Sequence, residues 1–162
     1  MGGPKPPPPL INYLGFRLAK EEFAIDVTML REIMGLQQVT VIPQTAAYVK
    51  GAMNLRGKVI PVIDLRLKFG LPESAPTNRT CVIVVHLENS GGKLVVGAIV
   101  DGVTEVLALR PSDIENRSGI TEEPGMFPIT GIVKMKGKVR GVLNLNQALT
   151  PEELQALQAA LV

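Results

Sequence analysis

His86, Cys81 and three pairs of neighbouring carboxylates are the side chains of this sequence that could do bond chemistry as acid, base, nucleophile or metal ligand. Their types and spacing offer little of it. One histidine cannot build an ordinary metal site, and His86 stands at the end of the apolar run "CVIVVHL", where a strand would place it. Cys81 opens the same run, and a small hydrophobe in a strand is its plain reading. Glu21/Glu22, Glu122/Glu123 and Glu152/Glu153 fall in turns or at a helix start, where adjacent carboxylates solvate a surface rather than converge on one bond. There is no Walker phosphate loop, dinucleotide glycine fingerprint or nucleophile elbow. An enzyme needs a perturbed acid or base in a cleft, and the sequence nominates none. No cofactor and no metal are expected.

Two other sets of residues are suited to recognition. "KMKGKVR" puts Lys134, Lys136, Lys138 and Arg140 at alternate positions, and strand periodicity sends them to one face unless the turn at Gly137 breaks the phase. Small barrels bind nucleic acid, so this stripe supports an alternative function of that class. It lacks interleaved aromatics for base stacking, and a solvated outer face explains it better. The second set comes from a repeat. "GAMNLRGKVIPVIDLRLKF" at residues 51–69 returns as "GIVKMKGKVRGVLNLNQAL" at 131–149, an offset of 80 with six identities. Average residue usage would give about one. The copies share structure, yet Arg56 becomes Lys136 and Asp64 becomes Asn144.

The elements that must position these residues are short strands. "AMNL" and "VIPVIDL" flank a tight turn at Gly57, where positive φ is needed, and Pro61 suits a sheet edge or bulge. Before them, "YLGFRLAKEEFAIDV" reads as two strands, "VTMLREIMG" as a short helical turn closed by Gly35, and "QVTVIP" as extended chain. After the linker "LPESAPTN", the runs "TCVIVVHL", "KLVVGAIV" and "GVTEVLAL" and the second hairpin add four or five strands. Many short strands with frequent turns indicate small antiparallel barrels, here two, each ended by a similar hairpin. In "TPEELQALQAAL", Thr150 caps a helix, Pro151 takes its first position, Glu153 completes a capping box, and Leu154, Leu157 and Leu161 form its apolar face. The expected organisation is a disordered Pro-rich tail (1–12), a first barrel (13–72), a second barrel (73–149) with strands free to cross between them, and a C-terminal helix (150–162).

Composition agrees. The 162 residues are 46% hydrophobic but only 4% aromatic, so the core is aliphatic. No apolar run approaches the roughly 18 residues that span a bilayer, and nothing at the start resembles a signal peptide. With a single cysteine and a net charge of +2, a cytoplasmic location without direct membrane insertion is expected, and no charge bias points to nucleic acid.

The segment "MNLRGKVIPVIDLR", Met53 to Arg66, resembles the hallmark of the CheW family, adaptors that couple bacterial chemoreceptors to the histidine kinase CheA. The resemblance continues through "FAIDVTMLREIMG", "AYVKGAMNLRG", "VVGAIVDGVTEVLAL" and "ITGI". It implies a mainly β fold of two five-stranded SH3-like barrels around a shared aliphatic core, with no catalytic activity. It also implies two partners, a methyl-accepting chemoreceptor cytoplasmic tip and the regulatory domain of a CheA-type kinase. The chain alone would be a monomer, and its complexes rings or arrays. The Arg of the family's NLRG motif faces the receptor groove, which carries that role to Arg56, with Glu32 as its partner. Leu30, Cys81 and Val106 match apolar groove positions, though each could equally be core. For the kinase side, "NRSGITEEPGMF" offers Ile120 and Phe127, and Gly51 and Gly97 flank these surfaces, where backbone geometry is the competing explanation.

Overall fold

The apolar run that begins at Cys81 is continuous because its strand is buried on both faces. Val82 and Val84 join one buried cluster with Met53, Leu55, Ile60, Val62 and Ile99, while Ile83, Val85 and Leu87 point the other way into a larger one. The computed structural model describes residues 2–4, 6, 8–116 and 128–161. Its strands are β1 (Ile11–Leu18), β2 (Glu21–Asp26), β3 (Leu30–Gly35), β4 (Val49–Leu55), β5 (Lys58–Asp64), β6 (Cys81–Asn89), β7 (Gly92–Val100), β8 (Gly102–Leu109), β9 (Ile114–Asn116), β10 (Ile129–Met135) and β11 (Lys138–Leu143). Two helices, α1 (Leu65–Lys68) and α2 (Pro151–Ala160), and three 3-10 turns complete it.

The strands form two sheets, of six in the order β8-β1-β2-β11-β10-β9 and of five in the order β3-β6-β7-β5-β4. The architecture is mainly β, as expected, with the three-residue β9 as an eleventh strand. The sheets do not follow the two halves of the chain. β1 and β2 pair with strands of the second half, and β6 and β7 with strands of the first, through parallel ladders β2–β11 and β5–β7. Both sheets curl back on themselves. In the smaller, Thr40, just beyond β3, exchanges both backbone hydrogen bonds with Ala52 of β4, each 2.8 Å, which ties the two ends of the ladder. In the larger, β8 and β9 stand at opposite ends of the ladder but are joined by residues 110–113, a span of at most about 15 Å.

Each barrel has its own interior. Ala24, Leu107, Leu109, Val133 and Val142 fill the six-stranded one. Between the barrels lies the largest cluster, where Phe16, Leu18, Phe23 and Ile25 meet Ile83, Val85, Ala98 and Val100, closed by Leu65, Leu145, Leu154 and Leu157. The last two come from α2, whose predicted Thr150 cap, Pro151 and Glu153 capping box are all present. Each buried leucine contributes about 1.5–3 kcal/mol, so this short helix is held by packing more than by propensity.

Two segments differ from their sequence reading. "LREIMG" is strand β3, and only Val27–Met29 are helical, in a 3-10 turn capped by Asp26, which accepts from Thr28 N at 2.9 Å. Burial alternates every second residue along β3 because β6 supplies its hydrogen-bond partners, and a pairing strand outweighs weak local helix preference. Pro61 is likewise not on an edge: β5 is interior, and Pro61 lies opposite Ala52, one residue before the parallel ladder to β7 begins at Val62.

Glu153 also ties α2 to the body. It accepts from Lys68 Nζ at 3.0 Å and from Tyr48 Oη at 3.0 Å, while Lys68 lies 5.0 Å from the Tyr48 ring centre. Burial works against its ionisation, but hydrogen bonds from the Thr150 N–H, Lys68 and Tyr48 and the Lys68 charge together hold its pKa below the usual carboxylate range. A depressed folded-state pKa stabilises the fold fully above the unfolded value, about 4.3, and that contribution is lost as pH falls through the lower folded value. Glu153→Gln is therefore expected to cost about 1–2 kcal/mol at neutral pH. Urea unfolding at several pH values checks this: the gap to wild type must close below about pH 4.

Candidate functional site

The two hairpins of the repeat superpose register on register. β4–β5 pairs Met53 with Ile60 and Leu55 with Lys58, and β10–β11 pairs Val133 with Arg140 and Met135 with Lys138, with a bulge at the same place in each. Both turns put two consecutive residues at positive φ, Arg56 at 49° and Gly57 at 85°, Lys136 at 52° and Gly137 at 75°. That is the twist-matched geometry of a two-residue hairpin, and it holds the first turn side chain clear of the sheet.

From this position Arg56 reaches β3, at the far end of the same ladder. Its Nη1 donates to Glu32 Oε1 at 3.0 Å and its Nη2 to Oε2 at 2.8 Å, a planar fork on one carboxylate. The Arg56 side chain is 75% exposed and that of Glu32 only 21%, so the guanidinium is held in a fixed orientation while still facing solvent. Lys136 has no such partner among the described residues and, as a point charge, could not reproduce the fork.

Around this pair, register decides which side chains share a face. Leu30, Ile33 and Cys81 stand opposite Val85, Ile83 and Val100, whose side chains face the core between the barrels. Val106 stands opposite Leu14, another member of that core. These four are therefore the outer margins of the faces that the two barrels turn toward each other, on the edge strands β3 and β8 and at the start of β6. Leu30 and Cys81 are half-buried against the core, whereas Ile33 is 44% and Val106 60% exposed. Burial pushes the Cys81 thiol up, so it is protonated and serves as an apolar group. Ile33 was not picked out from the sequence; once β3 is known to be a strand, its alternation with Glu32 and Met34 reveals it.

The remaining sequence candidates fall elsewhere. Gly51 and Gly97 are buried: a Cβ at Gly51, whose φ is +143°, would collide with Thr40 O, and one at Gly97 would press on Val82 at 3.0 Å. Ile120, Phe127 and the Glu122/Glu123 pair lie outside the described residues. The basic stripe is broken. Lys134 lies opposite the exposed Val139, but Lys138 lies opposite Met135, and Arg140 is buried at 2% exposure. The two-residue turn reverses the phase, so the four cations do not share a face.

A family model for the CheW-like domain matches residues 12–153. The chain belongs to the CheW family. It is 34% identical over 143 residues to the chemotaxis protein CheW of Klebsiella aerogenes, covering 88% of this chain and 84% of that protein. It is 33% identical over 141 residues to the chemotaxis protein CheW of Bacillus subtilis, covering 87% and 88% respectively. Among solved structures it is similar to the scaffolding protein TtCheW from Thermoanaerobacter tengcongensis, with a TM-score of 0.72, 31% identity, and coverage of 85% of this chain and 90% of that one. CheW scaffolds are generally non-catalytic. Among the described residues no group of three or more His, Cys, Asp or Glu side chains could hold a metal, and no helix is long and apolar enough to cross a membrane.

Within this CheW fold, one buried network was missed at the sequence level. Arg66 Nε and Nη2 grip Asp64 at 3.0 and 2.9 Å, and Nη1 reaches Asp101 at 2.7 Å. Asp101 in turn accepts from Ala19 N at 2.6 Å, so the network runs from β5 through the β7–β8 turn to the β1–β2 turn and links both barrels. The hydrogen bonds that Arg66 donates to Asp64, reinforced by the charges of Asp64 and Asp101, outweigh burial and hold the Arg66 pKa above its usual value. The signal lay in the repeat: Asp64 and Arg66 become Asn144 and Asn146 together, so charge is lost in pairs while the cap is kept, Asn144 Oδ1 accepting from Asn146 N at 3.1 Å.

Proposed function

We propose that this chain is a non-catalytic adaptor that holds a chemoreceptor signalling tip on one surface and the regulatory domain of a CheA-type histidine kinase on another. The observation that carries the reading is the solvent-facing Arg56 fork on Glu32 of the edge strand β3, set in a CheW fold. A receptor tip is a helical hairpin in this family, and a helix docks by laying apolar side chains into a trough. Arg56 and Glu32 supply the polar anchor of that trough, and Leu30, Cys81 and Val106, joined by Ile33, supply its apolar part. The kinase side is assigned to Ile120 and Phe127, together with Gly51 and Gly97, whose part is to shape the backbone. Signals then pass as changes in packing between partners, in a cytoplasmic complex that extends into rings or arrays. The broken basic stripe counts against the nucleic-acid alternative, since phosphate binding needs its cations on a common face.

The test is a calorimetric titration of the chain with a kinase regulatory domain and, separately, with a receptor-tip fragment. Saturable binding of both supports the reading. Failure of both at about 100 µM, well above the micromolar affinity expected of a transient signalling contact, overturns it.

A further inference from the structure

At offset 80 from Ile60 stands Arg140. Ile60 is 5% exposed and belongs to the interior of the five-stranded barrel; Arg140, opposite Val133, occupies the same interior position of the six-stranded one at 2% exposure. The consequences for the two barrel mouths are unequal. Among the described residues, a dimple of about 130 Å³ lies beside Ile60. Beside Arg140 opens a cavity of about 990 Å³, walled by β1, the β1–β2 and β7–β8 turns, β8, β11 and the 71–79 linker. A cavity of that size is at the upper end of those that take small molecules.

Folding does not require a cation at this position, because isoleucine closes the other copy. Arg140 is poorly satisfied where it is. Among the described residues it makes one hydrogen bond, Nη2 to Glu105 Oε1 at 2.7 Å, with Glu22 at 3.9 Å, and its buried Nε has no partner there. Buried unpaired donors are rare because desolvating a polar group without a partner is unfavourable, so such a group calls for an explanation beyond stability. The surroundings supply one. Arg17, Lys20, Arg79 and Lys138 line the same cavity, all exposed, so five cations face the four carboxylates Glu21, Glu22, Asp101 and Glu105. Asp101 is already held by Arg66 and Ala19 N, which leaves positive charge in excess.

We propose that the mouth of the six-stranded barrel binds a small molecule carrying two or more carboxylate or phosphate groups, with Arg140 at its floor. Both groups fit the planar guanidinium fork, and a multivalent anion also engages the rim cations. Glu105 now takes only Nη2 of the fork, and its side chain is 39% exposed, so it can turn to solvent as the ligand takes its place.

The experiment is isothermal titration of the full chain with citrate and with pyrophosphate at constant ionic strength, beside Arg140→Ile, the double variant Arg17→Ala/Arg79→Ala, and Lys134→Ala as a control on an exposed cation outside the cavity. Saturable binding with a Kd of about 1 mM or tighter is expected, weakened about tenfold in the rim double variant, absent in Arg140→Ile and unchanged in Lys134→Ala. Preference for citrate assigns the carboxylate class and preference for pyrophosphate the phosphate class. Circular dichroism reports whether Arg140→Ile folds; if it does not, the exposed rim variant decides. No saturable response to either anion up to about 10 mM, or the same affinity in wild type and the rim variant, overturns the proposal.

Discussion

Arg56→Ala is expected to weaken binding of a receptor-tip fragment by about tenfold or more, equivalent to about 1.4 kcal/mol, without weakening the kinase regulatory domain. Its unfolding midpoint should hardly move, because exposed ion pairs contribute about 0–1 kcal/mol and Arg56 is 75% exposed. That separation distinguishes a contact residue from a structural one. Arg56→Lys sharpens the test: lysine keeps the charge but loses the two-nitrogen fork that now meets Glu32 at 3.0 and 2.8 Å. If planar geometry is what the receptor reads, the lysine variant stays close to alanine in affinity. Full rescue by lysine would leave simple charge attraction as the role, and equal loss of both partners would mean that the turn itself had been damaged. Calorimetry with each partner, paired with a thermal melt of each variant, separates these outcomes.

Arg66→Ala should produce the largest loss of stability in the molecule, about 3–5 kcal/mol in urea unfolding, because it strands Asp64 as an unpaired charge in the core. Asp64 is fully buried, so water cannot replace the guanidinium. The second copy of the repeat shows how the same site is built without charge. Asp64→Asn combined with Arg66→Asn recreates the Asn144 and Asn146 arrangement, which retains the cap hydrogen bond at 3.1 Å. The double variant is therefore expected to be more stable than Arg66→Ala by about 1–2 kcal/mol, despite carrying one more substitution. Some loss remains, since Asp101 is deprived of its 2.7 Å contact and keeps only its bonds to Ala19 N and Ser74. A double variant as unstable as Arg66→Ala would show that the network acts through the shape of Arg66 in the interbarrel joint, with charge burial secondary.

Arg56 and Arg140 play corresponding parts in the two copies of the repeat. At position 56 a guanidinium meets Glu32 in the open; at position 140 another meets Glu105 inside the barrel. Glu32 on β3 and Glu105 on β8 follow the same pattern, each preceding an exposed aliphatic, Ile33 or Val106. Each barrel thus satisfies an edge-strand glutamate with an arginine of its own hairpin, delivered from the turn in one and from the strand in the other. Moving the arginine by four positions changes an accessible anchor into the floor of a cavity.

By itself the sequence determined what depends on neighbours along the chain. The two hairpins, their turn glycines and the Thr150 to Glu153 cap are local or periodic properties, and they are present as read. The family could be recognised for a similar reason, since its hallmark is one contiguous hairpin. Only the tertiary structure decided which strands share a sheet, because the parallel ladders β2–β11 and β5–β7 join segments far apart in the chain and leave no local trace. It decided that Leu30–Gly35 pairs with β6 instead of coiling, and that the turn at Gly137 sends Arg140 inward while Lys134 faces out. It also assembled the charge network, in which Arg66 and Asp101 are 35 residues apart and Ala19 and Asp101 are 82. Local preference is worth tenths of a kcal/mol per residue, whereas burial and pairing of a strand or a charge are worth several, so long-range contacts prevail wherever the two disagree.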